Sequence, residues 1–104
     1  MSETTLHVID NTEGKRYEAA LPQGTAYIEY RPVGNALMLT HTEVPEAMEG
    51  QGVGSTLVKF ALDDIRERSM MVIPMCPFVA AYMQRHLEYA DLVHPQQRGL
   101  FGLH

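Results

Sequence analysis

Cysteine occurs once in this chain, at Cys76, so no disulfide can form within it and the usage fits a reducing compartment. A CxxC partner is absent too, which excludes a redox pair. No apolar run approaches the ~18 residues that a membrane span requires. The start, Met1-Ser2-Glu3-Thr4, has neither the basic residues nor the apolar stretch of a secretory signal. A cytoplasmic protein without a membrane partner is the expectation. Positive charge is scarce, with eight Lys and Arg against 13 Asp and Glu for a formal net charge of −5. Phosphate backbones reward clustered Lys and Arg, so nucleic acid is not an expected partner. His7, His86, His94 and His104 stand at no ligand spacing with one another or with Cys76, and no metal site is expected. What remains is 104 residues, 45% apolar and 20% charged, enough for one soluble domain with one core.

Leu6-His7-Val8-Ile9-Asp10 has β-branched, apolar content, and Asn11 to Lys15 supplies turn residues. Arg16 to Leu21 alternates, so the two segments read as a hairpin. Ala26 to Tyr30 and Ala36 to Val44 read as a third and a fourth strand, each preceded by a Pro- and Gly-containing turn. Val53 to Arg68 repeats its apolar residues at helical spacing: Val53, Leu57, Ala61 and Ile65, with Val58 and Leu62 beside them. Met70 to Met75 is a short apolar run, read as a buried strand. Pro77 suits the first turn of a second helix over Phe78 to His86, and Tyr89 to Val93 reads as a short last strand. The methionines, Met38, Met70, Met71 and Met75 among them, read as core filler. Residues 1–94 then form a single α+β domain: an antiparallel meander of about four strands followed by helix, strand and helix. Residues 95–104 are a polar tail expected to be loose.

Between the fourth strand and the first helix lies Glu49-Gly50-Gln51-Gly52-Val53-Gly54, with three glycines in five positions. Glycine lets the backbone turn tightly and removes side chains that would block a ligand. The N–H groups at the helix start point outward with the positive end of the helix dipole behind them, a site for an anion such as a phosphate. The alternative is a loop that uses glycine only to turn.

This order of elements, with a Gly-rich turn after the fourth strand, resembles the GCN5-related N-acetyltransferase (GNAT) fold. The signature of those enzymes is Gln or Arg, two residues, Gly, one residue, then Gly or Ala. Gly52 and Gly54 fill its last two fixed positions, and its first falls on Glu49. His41-Thr42-Glu43-Val44-Pro45, the glycine loop, Leu57 to Asp63 and Cys76-Pro77-Phe78-Val79 to His86 together resemble the small YjdJ-type members, over about Arg16 to Val93. The resemblance implies binding of acetyl-CoA or CoA as cosubstrate and transfer of acetyl to an amine. It implies that backbone N–H groups from Gln51 to Gly54 hold the pyrophosphate, with Glu49, Gly50 and Ser55 completing the loop and helix start. The strand end at Glu43-Val44 is implied to hydrogen-bond the pantetheine amides as an added strand would.

An attacking amine must be neutral, so a base or a water path is needed. His41 and Glu43 share one face of the fourth strand. An imidazole titrates near pH 6.5 and suits proton traffic, so His41 stands ahead of Glu43 as base. The alternative is a strand-face His hydrogen-bonded in place. Cys76 ends the fifth strand just before a helix, where it can accept acetyl, give a proton to the leaving thiolate, or line the acetyl pocket. A buried apolar role competes with all three. The resemblance puts Tyr82 near the Tyr that protonates the thiolate in many GNAT enzymes; a packed aromatic is the alternative. Only Asn11 to Lys15 joins the first two strands, where longer GNAT enzymes carry two helices, so the acceptor side should be open. An open face suits a protein or another large amine as acceptor, in a monomer or weak homodimer. Glu43, Glu46 and Glu49 suit a cationic acceptor or are a solvated loop. A CoA-binding or sensing module with little turnover is the chief rival function. An interaction domain that binds no nucleotide is the third.

Overall fold

A computed structural model describes residues 6–103; the Met1-to-Thr4 start and His104 lie outside the described residues. Five strands form one sheet in the order of the chain: β1 (Ile9–Asn11), β2 (Arg16–Leu21), β3 (Gly24–Val33), β4 (Ala36–Glu43) and β5 (Met71–Pro74). The first four pair antiparallel through short turns, and β5 joins parallel to β4. A parallel partner needs a crossover. Helix α1 (Val53–Glu67) supplies it, and α2 (Pro77–Arg85) follows β5.

Alternation along the strands buries one face only. Tyr17 and Ala19, Ala26, Ile28 and Tyr30, Leu37 and Leu39, and Val72 point into the core, where they meet Leu57, Val58, Ala61, Leu62 and Ile65 of α1 and Val79 and Met83 of α2. The opposite face, with Glu29 and Arg31 among its residues, is open to solvent. An antiparallel meander tolerates this because its polar residues alternate outward. No helix among the described residues is long and apolar enough to cross a membrane.

Two details position the site. Tyr30 pairs with Leu39 but Glu29 pairs with His41, so Thr40 is an extra residue in β4, a bulge that shifts the register by one. Strand β5 pairs with β4 only from Ala36 to Leu39; a last contact, Cys76 N–H to the Leu39 carbonyl at 2.9 Å, closes the ladder. Beyond it β4 runs on without a neighbour on that side.

Three expectations change. Residues 89–93 are not a strand: Leu87–Leu92 is a 3-10 segment whose Tyr89 and Leu92 are buried against the helices, because the chain leaving α2 lies over the core rather than at a sheet edge. The C-terminal tail is docked. Pro95–Phe101 is a further 3-10 segment, Arg98 donates to the carbonyls of Ala90 and Val93, Gln84 donates to Phe101, and Leu103 is 1% exposed. The methionines divide: Met38, Met70 and Met71 are half-buried, whereas Met75 is exposed because it follows the end of β5.

Candidate active site

A cleft of about 460 Å³ opens where β4 parts from β5. Its sheet wall is Thr42 and Val44, its floor Met48 and the glycine loop, and its far wall the first turn of α1 with Phe78 of α2. The loop reaches this shape through two left-handed glycines, Gly50 at φ 83° and Gly52 at φ 80°. A side chain at either position would meet no atom within 4 Å, so conformation rather than space asks for glycine there. Gly54 is different. A Cβ on it would lie 2.8 Å from Phe78 Cζ, so the missing side chain lets the aromatic ring rest on the helix start.

Helix α1 has no side-chain cap at Gly52. Its first carbonyl contact is Thr56 N–H to the Gly52 carbonyl at 3.0 Å. Among the described residues the N–H groups of Gly54 and Ser55 find no acceptor in the protein, and both residues line the cleft. Fifteen residues of aligned dipole stand behind these donors. Such an end takes an oxyanion without a basic side chain.

Seven of the ten residues expected to hold the donor line this cleft: Val44, Glu49, Gly50, Gly52, Val53, Gly54 and Ser55. Gln51 is exposed outside it. Cys76 is 5% exposed and sits behind the sheet wall, its Sγ 3.3 Å from Thr42 Oγ1. Glu43 turns away. Thr42 faces Ile28 in register and so shares the core face, while His41 and Glu43 pair with Glu29 and Tyr27 on the open face. There His41 Nε2 and Glu43 Oε1 lie 2.9 Å apart with both side chains about half exposed (52% and 53%). The Tyr27 ring lies 6.3 Å from the imidazole.

Tyr82 is not brought to the cleft. It lies 5% exposed between α2 and the following segment, stacked on His86 with centroids 4.1 Å apart. Burial pushes its phenol above the ordinary tyrosine range, against the pull of Lys59, and its other charged neighbours are Glu88, Asp63 and Arg85. None of these lines the cleft. The sequence reading missed Thr42, Met48 and Phe78. Phe78 follows the Cys76-Pro77 pair directly, and an exposed aromatic at a helix start was the available signal. Among the described residues no cluster of His, Cys, Asp and Glu has the arrangement of a metal site.

A family profile described as GCN5-related N-acetyl-transferase matches residues 16–92. The chain is similar to Protein NATD1 of Mus musculus, 34% identical over 73 residues that cover 67% of this chain and 66% of the mouse protein, just under two thirds of that relative's length. Protein NATD1 of Homo sapiens matches to the same 34%, over 67% of this chain and 65% of the relative. In structure it is similar to a GCN5-like protein of Staphylococcus aureus solved by NMR in solution. The TM-score is 0.68 at 25% identity, covering 88% of this chain and 91% of that one.

Proposed function

The chain belongs to the GCN5-related N-acetyltransferase family, and from that premise we propose that it binds acetyl-CoA in the cleft and passes the acetyl group directly to an amine. One observation carries the reading: a single cleft joins the unpartnered N–H groups of Gly54 and Ser55 to a strand end released by the parting of β4 and β5. The pyrophosphate belongs at the helix start. The pantetheine arm belongs along Thr42 to Val44, where β4 has no neighbour on that side, with Met48, Val53 and Phe78 against its apolar parts. Donors fixed in this way cost little reorganisation when the ligand binds.

The acceptor approaches from the open face, where β4 and β5 separate. His41 there takes a proton from the incoming amine, and Glu43 at 2.9 Å orients the imidazole. The amine nitrogen forms its bond to the thioester carbon, the carbon–sulfur bond breaks, and the electron pair leaves on sulfur. The uncovered face suits a large acceptor, an amine on a protein or another extended molecule. We place the chain with the short YjdJ-type members, in a reducing cytoplasm that matches its single thiol.

The test is release of free CoA thiol from acetyl-CoA with a panel of primary amines and a lysine-containing peptide. Acceptor-dependent release that falls at least tenfold in His41→Ala is expected. Tight donor binding with no acceptor-dependent release would instead favour a CoA-binding module without turnover.

A further inference from the structure

The leaving sulfur needs a proton. Tyr82, in the segment where the resemblance places a donor, stacks on His86 and does not line the cleft. Glu49 and Ser55 lie at the loop and helix start, the phosphate end. On the sheet wall, where the strands part, the polar side chain is Thr42. Its hydroxyl lies 3.3 Å from the thiol of Cys76, which is held behind the wall by its N–H bond to the Leu39 carbonyl. A hydroxyl can accept one hydrogen bond and donate another at the same time. Thr42 therefore stands between the buried thiol of Cys76 and the cleft it lines.

We propose that Thr42 is the catalytic group that meets the thioester sulfur, relaying a proton from Cys76 to the departing thiolate. This rests on the donor placement above. The balance is as follows. The carbon–sulfur bond breaks with its electron pair on sulfur. The Thr42 hydroxyl proton passes to that sulfur, and the Cys76 thiol proton replaces it on Thr42. The amine nitrogen loses its proton through His41 to solvent, and solvent returns one proton to Cys76. Amine and thioester become amide and thiol with no oxidant or reductant. In the free protein the bulge at Thr40 is what makes this possible, since it turns Thr42 rather than His41 onto the cleft face.

Thr42→Val keeps the shape and removes the hydroxyl; Thr42→Ser keeps the hydroxyl. Binding is read by calorimetry with two probes, CoA and desulfo-CoA, which lacks the sulfur. The wild type is expected to prefer CoA by about fivefold, the worth of one modest hydrogen bond. Thr42→Val should erase that preference without weakening desulfo-CoA, and Thr42→Ser should keep it. In turnover, Thr42→Val should lower kcat about ten- to a hundredfold with the donor KM unchanged. Combining it with Cys76→Ala should cost no more than the larger single loss, because the two act as one relay. A sulfur preference that survives in Thr42→Val, or an unchanged kcat, would overturn the assignment of Thr42 and leave the donor site standing. If neither probe binds the wild type, the donor site itself fails and the relay with it.

Discussion

The two ends of α1 are built in opposite ways. At its start the helix has no side-chain cap, two glycines in left-handed conformation lead into it, and the N–H groups of Gly54 and Ser55 face a cleft. At its end nearly every polar group is tied. Tyr17 donates to Asp64 at 2.7 Å, Tyr30 donates to Asp10 at 2.6 Å, and Arg68 pairs with both carboxylates, with Asp64 at 2.9 Å. A little further along, Tyr89 donates to Asp63 at 2.7 Å and Arg66 holds Asp91 at 2.8 Å. On the proposed function the open end serves recognition, and the tied end holds the fold together. Unsatisfied donors are tolerated only where water or a ligand can reach them, and the tied end is where sheet and helix are locked together.

The contrast can be broken first at the open end. Gly52→Glu puts a carboxylate where an oxyanion is expected, in a backbone conformation that costs a non-glycine residue roughly 1–2 kcal/mol. Donor affinity should fall a hundredfold or more, about 2.7 kcal/mol, while the circular dichroism of the fold persists. Affinity within threefold of the wild type would remove the helix start as the phosphate site.

At the tied end, Tyr17→Phe deletes a hydrogen bond to a charged acceptor. A loss of about 1.5–2 kcal/mol in urea unfolding is expected, with donor affinity unchanged. A drop in affinity as large as that in stability would mean that the two ends are coupled rather than separate.

Alkaline titration probes the same end without mutation. Burial, and then the hydrogen bond to a carboxylate, push the phenols of Tyr17 and Tyr30 well above their ordinary value near 10. The charged form is disfavoured in the folded state, so above about pH 10 the unfolded chain has lost protons that the folded chain still holds. Stability is therefore whole below that pH and declines above it, by about 1.4 kcal/mol per pH unit for each such tyrosine. Unfolding free energy measured from pH 9 to 11 should fall, and Tyr17→Phe should remove its share of the slope.

The smallest effect is expected at Gly54→Ala. The new methyl must displace the Phe78 ring, which lies at the far end of its side chain and can turn. A two- to fivefold change in donor affinity with stability within about 0.5 kcal/mol would place Phe78 on the cleft wall. No change in affinity would take it out of the site.

The sequence made the loop-and-helix side of the cleft legible and left its sheet wall obscure. Val53, Leu57, Ala61 and Ile65 at helical spacing marked α1, and glycines directly before that run marked a tight turn into its start, because both signals are local. The strand meander was legible for the same reason. What failed depended on distant contacts. Tyr89 to Val93 has strand composition, yet with no sheet edge beside it the segment coils over the core. The tail reads as polar, but Leu103 finds a buried place. Most telling is β4. Alternation carried forward from Leu37 and Leu39 would put His41 on the core face, and one extra residue at Thr40 puts Thr42 there instead. A bulge leaves no reliable mark in composition, and it reverses every side chain after it.

Thermal unfolding of the wild type and of Gly52→Glu, each with and without excess acetyl-CoA, tests the central claim most directly. At ~100 times its dissociation constant a specific ligand adds roughly 2.7 kcal/mol, several degrees for a domain of this size. At the same ligand concentration the wild type should shift by that amount and Gly52→Glu by about 0.4 kcal/mol or less. Equal shifts in both proteins, or none in a folded wild type, would contradict the assignment of this cleft to the acetyl donor.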